Sequence, residues 1–169
     1  MIHNLWPTKV VIESLPLEEC MLILNSHVSN SSKDWEGLVE KRFENLLLDI
    51  VTSYYGGKYE ICEGWIRTLS TKDHNDFELH SDSHYGGQLV AVLQISGDED
   101  SGGELVLYDP SWNNPQWVSD TQNRNSNTFV VPFKMGNLVI FPSNVWHRVN
   151  AYSGKTNRVT LNLILKKLS

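Results

Sequence analysis

The sequence predicts a mainly β protein with supporting helices, arranged as an antiparallel sandwich or barrel. Short β-like runs follow one another after Gly57, and turn residues separate them. Before Gly57, apolar residues recur with the 3.6-residue period of a helix. The length of 169 residues suggests one domain, and 40% hydrophobic with 20% charged residues is typical of a globular chain.

Residues 1–57 are expected to be a helical support region within a single domain of residues 1–169. A first strand is predicted at 8–15, and a helix is predicted at 14–30, where Pro16 suits a first helical turn. The clearest helix begins at Asp34, which can cap it, and ends at Gly56-Gly57. Its apolar stripe is expected to pack on a sheet.

Residues 58–167 are expected to form the β core of about eight short strands. The predicted strands are 59–70, 77–81, 87–96, 103–109, 127–133, 137–142, 145–151 and 157–166.

One long polar segment, 110–126, interrupts this series and carries Trp112 and Trp117. A loop of this length in a compact domain usually has a function. Two exposed tryptophans on it favour a lid or a loop that holds a peptide or small-molecule substrate.

The composition argues against several classes of partner. The formal charge is −6 and the chain has no basic run, so no nucleic-acid partner is expected. No apolar run approaches the roughly 20 residues that cross a bilayer, so no membrane partner is expected. Cys20 and Cys62 form no disulfide framework and are expected to be buried free thiols. A cytoplasmic location, in a host cell if the protein is viral, is the expectation.

The segment "FELHSDSHYGG" contains a candidate metal site. His80 and Asp82 are two apart, so on a strand they point to the same side and can reach one ion. His147, on a late predicted strand, can supply a third ligand. Two imidazoles and one carboxylate are typical of non-haem Fe(II) oxygenases. His and Asp also fall two apart by chance, and a lone His in an apolar strand is often only a core residue. His84 could compete as a ligand or face solvent.

Arg158 raises a second question, because it stands in the apolar run "NRVTLNLIL". A buried guanidinium needs an anionic partner, and the sequence offers no obvious carboxylate for it. A ligand carboxylate held by the planar guanidinium would satisfy it. Thr160, two residues further and facing the same side, could add a hydroxyl donor.

The combination of these motifs resembles the Fe(II)- and 2-oxoglutarate-dependent oxygenase superfamily. It comprises "HSD", "GGEL" at 102–105, "GNLVIFPSNVWHRV" and "NRVTLNL". The sequence pattern is most similar to that of small prolyl-hydroxylase-like microbial and phage members of this superfamily. The resemblance covers roughly residues 60 to 165. It implies a double-stranded β-helix, a jelly-roll core like that of cupins.

The resemblance also implies the roles of particular residues. His80, Asp82 and His147 would bind Fe(II), while Arg158, helped by Thr160, would hold the far carboxylate of 2-oxoglutarate. Trp65 and Arg67, on the strand before "HSD", would line the pocket.

The implied reaction is hydroxylation of a C–H bond with release of succinate and CO2. The reaction consumes O2, and ascorbate is a possible additional cofactor. The substrate would be a prolyl or other residue of a peptide or protein, or a small molecule. Collagen-type prolyl hydroxylases depart from this pattern, because they use Lys where this chain has Arg158.

Two other classes of protein remain open from the sequence alone. A cupin-type metal enzyme shares the barrel but usually uses more His ligands and needs no buried Arg on the last strand. A non-catalytic β-sandwich that binds carbohydrate would explain Trp112 and Trp117, but it would leave the His, Asp and Arg constellation as coincidence.

Overall fold

The computed structural model describes residues 2–5, 8–16, 18, 20, 40–70, 78–109 and 128–169. The strands are β1 (Ile2–Leu5), β2 (Thr8–Ser14), β3 (Tyr59–Leu69), β4 (Leu89–Ser96), β5 (Leu105–Tyr108), β6 (Thr128–Val131), β7 (Asn137–Pro142), β8 (His147–Val149) and β9 (Arg158–Lys167). The α-helix whose bounds are fully described is α1 (Lys41–Tyr55), and a 3₁₀ turn spans Ser83–Tyr85.

The strands form two antiparallel sheets, which confirms the predicted jelly-roll class. The large sheet has six strands in the order β1-β2-β7-β4-β9-β3, and the small sheet has the order β6-β5-β8. Several neighbouring strands are far apart in the chain, as the β4–β9 and β2–β7 pairs show. This crossing connectivity brings residues from distant parts of the sequence onto one inner face.

Alternation along each strand divides the core into two layers. On β4, Leu89, Ala91, Leu93 and Ile95 belong to the cluster that packs against α1. The residues between them, Val90 and Val92, belong to the cluster enclosed between the two sheets. Since side chains on a strand alternate between faces, the polar residues of β4 and β9 that face inward are placed in this enclosed space.

Helix α1 covers the outer face of the large sheet. Phe43, Leu47 and Val51 are 2%, 0% and 0% exposed and lie at the i, i+4, i+8 spacing of one helix face. The helix ends as predicted at Gly56, whose φ of +69° suits glycine. Its start differs from the prediction at Asp34, because Glu40 has extended backbone (φ −64°, ψ 145°) and the helix begins at Lys41. The apolar periodicity continues across this break and therefore did not signal it.

The N-terminal region contributes strands as well as helix. β1, which the sequence did not indicate, pairs with β2, and β2 in turn pairs with β7. Within the region expected to be a helical support, residues 2–5 and 8–14 thus extend the large sheet at its edge. Of the predicted helix at 14–30, Glu18 and Cys20 are described and helical, and the rest lies outside the described residues.

Two expectations for other segments need correction. Of the predicted strand at 77–81, the described residues 78–81 form only a single bridge, between His80 and His147, because the chain enters the 3₁₀ turn soon afterwards. Cys62 is a free thiol but exposed rather than buried; it lies on β3, at the edge of the large sheet. Trp112 and Trp117 lie outside the described residues, so their proposed lid stays a prediction.

None of the helices described is long and apolar enough to cross a membrane.

Candidate metal centre

His80, Asp82 and His147 converge at one end of the space between the sheets. Their potential ligand atoms all lie within 4.8 Å of one another. His147 Nε2 is 3.5 Å from Asp82 Oδ2, and His80 Nε2 is 3.8 Å from Asp82 Oδ1. The β8 bridge explains this convergence, because paired backbone hydrogen bonds of 3.0 and 2.8 Å hold His80 beside His147. The group could hold a metal ion.

Backbone carbonyls orient both imidazoles. His80 Nδ1 lies 2.8 Å from the carbonyl oxygen of Glu78, and His147 Nδ1 lies 3.0 Å from that of Val145. An Nδ1–H that donates to a carbonyl leaves Nε2 as the lone-pair atom, which is the state of a metal-binding histidine. In both side chains this Nε2 is the atom that faces Asp82.

Burial sets the protonation of His147. The side chain is 5% exposed, and the ring of Phe141 packs edge-on at 5.1 Å between centroids. Desolvation is the main cause that lowers the pKa of His147 to about 4, and the nearby His80 and Arg67 lower it further. His147 is therefore neutral at physiological pH and its Nε2 lone pair is available.

Arg158 lies on the same inner face, deeper in the molecule. It is 1% exposed, and within the described residues its Nε and Nη1 have no hydrogen-bond partner. The ring of Phe133 lies 5.1 Å from Cζ, so one side of the guanidinium rests on an aromatic face. Gly103 lines another side, where an added Cβ would stand 2.7 Å from Arg158 Cδ.

The guanidinium stays charged despite its burial. Desolvation, the largest cause, and the positive charge of Arg67 lower the pKa of Arg158 to about 10. A buried cation whose N–H groups lack acceptors is costly, and an anionic ligand that brings two oxygens relieves that cost.

A single cavity connects the two groups. Its lining includes all three residues of the His-Asp-His group together with Arg158 and Thr160. Thr160 is 1% exposed, and its hydroxyl oxygen accepts a bond from Asn162 Nδ2 at 3.4 Å, which leaves the hydroxyl hydrogen able to donate. The structure thus brings together all five residues that the sequence singled out for metal and carboxylate binding.

The cavity opens into a cleft of about 350 Å³ beside the His-Asp-His group. Trp65 and Arg67 line both spaces, so they lie where the inner cavity meets the cleft. Tyr85 is 41% exposed at the rim, and its ring lies 5.3 Å from that of Trp65. His84 lies at the rim, exposed, with Nδ1 3.2 Å from the carbonyl oxygen of Ser81, and it is not part of the His-Asp-His group.

Several residues of this site escaped the sequence reasoning. Phe133, which supports Arg158, had no role assigned from the sequence, and Gly103 was noted only as part of the "GGEL" motif. Gln94 is fully buried on the inner face of β4. The only sequence feature that could have indicated its role is that it is a polar residue within the apolar segment "LVAVLQIS".

The fold and this site define the class of protein: a jelly-roll with a candidate metal site at one end of its inner space. A sequence model described as "Putative 2OG-Fe(II) oxygenase" matches residues 63–163. The chain belongs to this family of 2OG-Fe(II) oxygenases, and it is an oxygenase that depends on Fe(II) and 2-oxoglutarate. The match decides against both a carbohydrate-binding module and a cupin-type enzyme of another chemistry.

Solved structures show the same fold at low sequence identity. A Pseudomonas putida prolyl-4-hydroxylase has a TM-score of 0.62 and 16% identity, over 95% of this chain and 88% of that one. EctD from S. alaskensis with bound Fe has a TM-score of 0.71 and 11% identity, over 94% and 72%. The α-ketoglutarate-dependent carbocyclase SnoK, from nogalamycin biosynthesis, has a TM-score of 0.69 and 13% identity, over 94% and 79%. No curated protein sequence matches the chain.

The described residues fit the two groups that the family uses. Two imidazoles with free Nε2 atoms and one carboxylate are a donor set suited to Fe(II). The unpartnered Nε and Nη1 of Arg158 are suited to one carboxylate of a dicarboxylic acid.

Proposed function

We propose that His80, Asp82 and His147 bind Fe(II), and that Arg158 and Thr160 hold the distal carboxylate of 2-oxoglutarate. The observation that carries this proposal is a buried guanidinium whose Nε and Nη1 have no hydrogen-bond acceptor among the described residues, in the same cavity as a His-Asp-His group. A structural arginine in a core would be paired with an internal acid.

Bound Fe(II) and 2-oxoglutarate supply the oxidising chemistry, in which O2 and the 2-oxo acid become succinate and CO2 while one oxygen atom enters a substrate C–H bond. The protein contributes position and environment. The Glu78 and Val145 carbonyls fix both imidazoles, and the low pKa of His147 keeps its ligand atom unprotonated. The closed inner end keeps water away from Arg158, which strengthens its attraction for a carboxylate.

We also propose that Trp65 and Arg67, which line both spaces, contact the cosubstrate and the substrate. Arg67 is half-buried between the inner cavity and the cleft, and burial is the main cause that lowers its pKa. We assign the cleft with Trp65, Tyr85 and His84 to the hydroxylated substrate. A prolyl residue of a peptide is the first candidate, supported by the likeness to the P. putida prolyl-4-hydroxylase, and a small molecule is the second.

The iron assignment is tested with two matched histidine variants. The purified protein is mixed anaerobically with Fe(II) and 2-oxoglutarate, and its absorption spectrum is recorded. Succinate is then measured after addition of O2 and ascorbate. We expect His80→Ala to lose both the spectral change and succinate formation, and His84→Ala, four residues away at the rim, to keep the spectral change. No spectral change in the wild type, or equal loss in the two variants, contradicts the assignment.

The substrate class is tested by a separate screen. Peptide libraries with and without proline, and a panel of small molecules, are incubated with the active enzyme and examined by mass spectrometry for the gain of one oxygen. Gain only in proline peptides supports the prolyl assignment, and gain only in small molecules replaces it.

A further inference from the structure

Gln94 resembles Arg158 in having a buried donor without an acceptor. Three buried side-chain nitrogen atoms in the described part have no hydrogen-bond partner, namely Arg158 Nε, Arg158 Nη1 and Gln94 Nε2. Gln94 is 0% exposed. Burying an amide N–H without an acceptor is costly, so the group needs an explanation.

The strand register places Gln94 beside the carboxylate-binding residues. Gln94 on β4 is the direct partner of Thr160 on β9, and Arg158 is two residues from Thr160 on the same face. Side chains directly opposite on paired strands have Cβ atoms about 5 Å apart, and diagonal neighbours are about 7–8 Å apart. The long side chains of Gln94 and Arg158 can therefore reach one common point above Thr160.

One contact fixes the orientation of the Gln94 amide. Its Oε1 accepts a hydrogen bond of 2.7 Å from the backbone N–H of Lys134. The flipped orientation would set the NH2 group against that N–H, where two donors would face each other. The amide oxygen therefore faces Lys134, and Nε2 is the amide atom left without a partner. Lys134 follows Phe133, whose ring lies 5.1 Å from Arg158 Cζ, so the contact with Lys134 holds the amide on the side of the Arg158 guanidinium.

We propose that Gln94 Nε2 donates a hydrogen bond to the distal carboxylate of 2-oxoglutarate, as a further specificity-determining residue; this inference rests on the proposed function of Arg158. A carboxylate has about four acceptor positions, and the guanidinium and the Thr160 hydroxyl leave at least one of them for the amide. A neutral donor here adds selection for a dicarboxylic acid without a further positive charge beside Arg158 and Arg67.

The test compares two ligands on metal-loaded protein, with binding measured by calorimetry under Mn²⁺ and without O2. One ligand is 2-oxoglutarate, and the other is 2-oxopentanoate, which has the same chain length without the distal carboxylate. We expect Gln94→Leu to weaken 2-oxoglutarate binding about tenfold and to leave 2-oxopentanoate binding unchanged.

Two further variants separate donation from a structural role. Gln94→Glu keeps an oxygen for the Lys134 N–H but replaces the donor with a negative charge, so it should weaken 2-oxoglutarate binding more than Gln94→Leu does. Gln88→Leu is the matched control, because exposed Gln88 Oε1 accepts the Lys167 N–H at the same distance of 2.7 Å. We expect Gln88→Leu to bind both ligands like the wild type.

The outcomes distinguish this inference from the proposed function. A wild type that binds no 2-oxoglutarate contradicts the proposed function itself. A wild type that binds it, with Gln94→Leu either unchanged or weakened equally for both ligands, overturns only the role of Gln94.

Discussion

At the level of single residues, His147 and Arg158 respond differently to the same cause. Burial lowers the pKa of both side chains, to about 4 in His147 and to about 10 in Arg158. The first change makes the imidazole neutral at physiological pH, and the second leaves the guanidinium charged. One end of the cavity thus offers an unprotonated nitrogen suited to a cation, and the other end offers a positive charge suited to an anion.

The lowered pKa of His147 predicts how stability of the metal-free protein depends on pH. The unfolded chain protonates this histidine near its ordinary pKa of 6.5, whereas the folded protein keeps it neutral down to about 4. The unfolded state binds more protons between these values, so this contribution to folding stability is present above pH 6.5 and falls as the pH decreases towards 4.

Urea unfolding of chelator-treated protein at several pH values in this window measures the effect. We expect His147→Gln to show a clearly weaker decline in unfolding free energy with falling pH than the wild type. A variant whose decline equals that of the wild type would show that His147 titrates normally in the folded state.

At the level of elements, a loop and a strand combine to shape the arginine site. Gly103 precedes β5, has a φ of +76°, and stands where a Cβ would lie 2.7 Å from Cδ and 2.8 Å from Nε of Arg158. Asp98, in the loop after β4, accepts hydrogen bonds from the backbone N–H and hydroxyl of Thr156, at 3.1 and 2.7 Å, just before β9 begins. The loop between β4 and β5 therefore sets both the space around Arg158 and the start of its strand.

Gly103→Ala is predicted to impair cosubstrate binding as well as stability. The new methyl group must displace the guanidinium, and loss of one charge-assisted hydrogen bond weakens 2-oxoglutarate binding by about 10- to 100-fold. Gly86→Ala is the matched control, because Gly86 has a similar φ of +79° and no atom within 4 Å of an added Cβ. Both variants should lose about 1–2 kcal/mol of unfolding free energy through backbone strain.

Calorimetric titration with 2-oxoglutarate and thermal unfolding of the same samples separate the two effects. Equal cosubstrate affinities in Gly103→Ala and Gly86→Ala, at similar stability, would show that the close approach of Gly103 to Arg158 has no role in binding.

The elements also show what sequence reasoning can and cannot reach. Period-2 alternation and turn residues located the strands of the core, because these signals are local. The extended backbone at Glu40 and the β1 strand were missed, since the helical period continues across the first and the second depends on its partner β2. Register is likewise a property of paired strands, so the position of Gln94 opposite Thr160 was not available from the sequence.

At the level of the whole molecule, the jelly-roll connectivity is what creates the site. His80 precedes β4, His147 lies on β8 and Arg158 begins β9, yet the two sheets bring all three to one enclosed space. The sequence motifs predicted these partners through a family resemblance, and the chain belongs to that family. The supporting contacts, such as Phe133 with Arg158, depend on the fold of this chain and became visible only in three dimensions.

The most direct measurement is a crystal structure of the protein prepared anaerobically with Fe(II) and 2-oxoglutarate, with anomalous scattering recorded at the iron edge. We expect one anomalous peak within bonding distance of His80 Nε2, His147 Nε2 and an Asp82 carboxylate oxygen, with the distal carboxylate of the 2-oxo acid against Arg158. Iron bound elsewhere, or a carboxylate that makes no contact with the guanidinium, would contradict it.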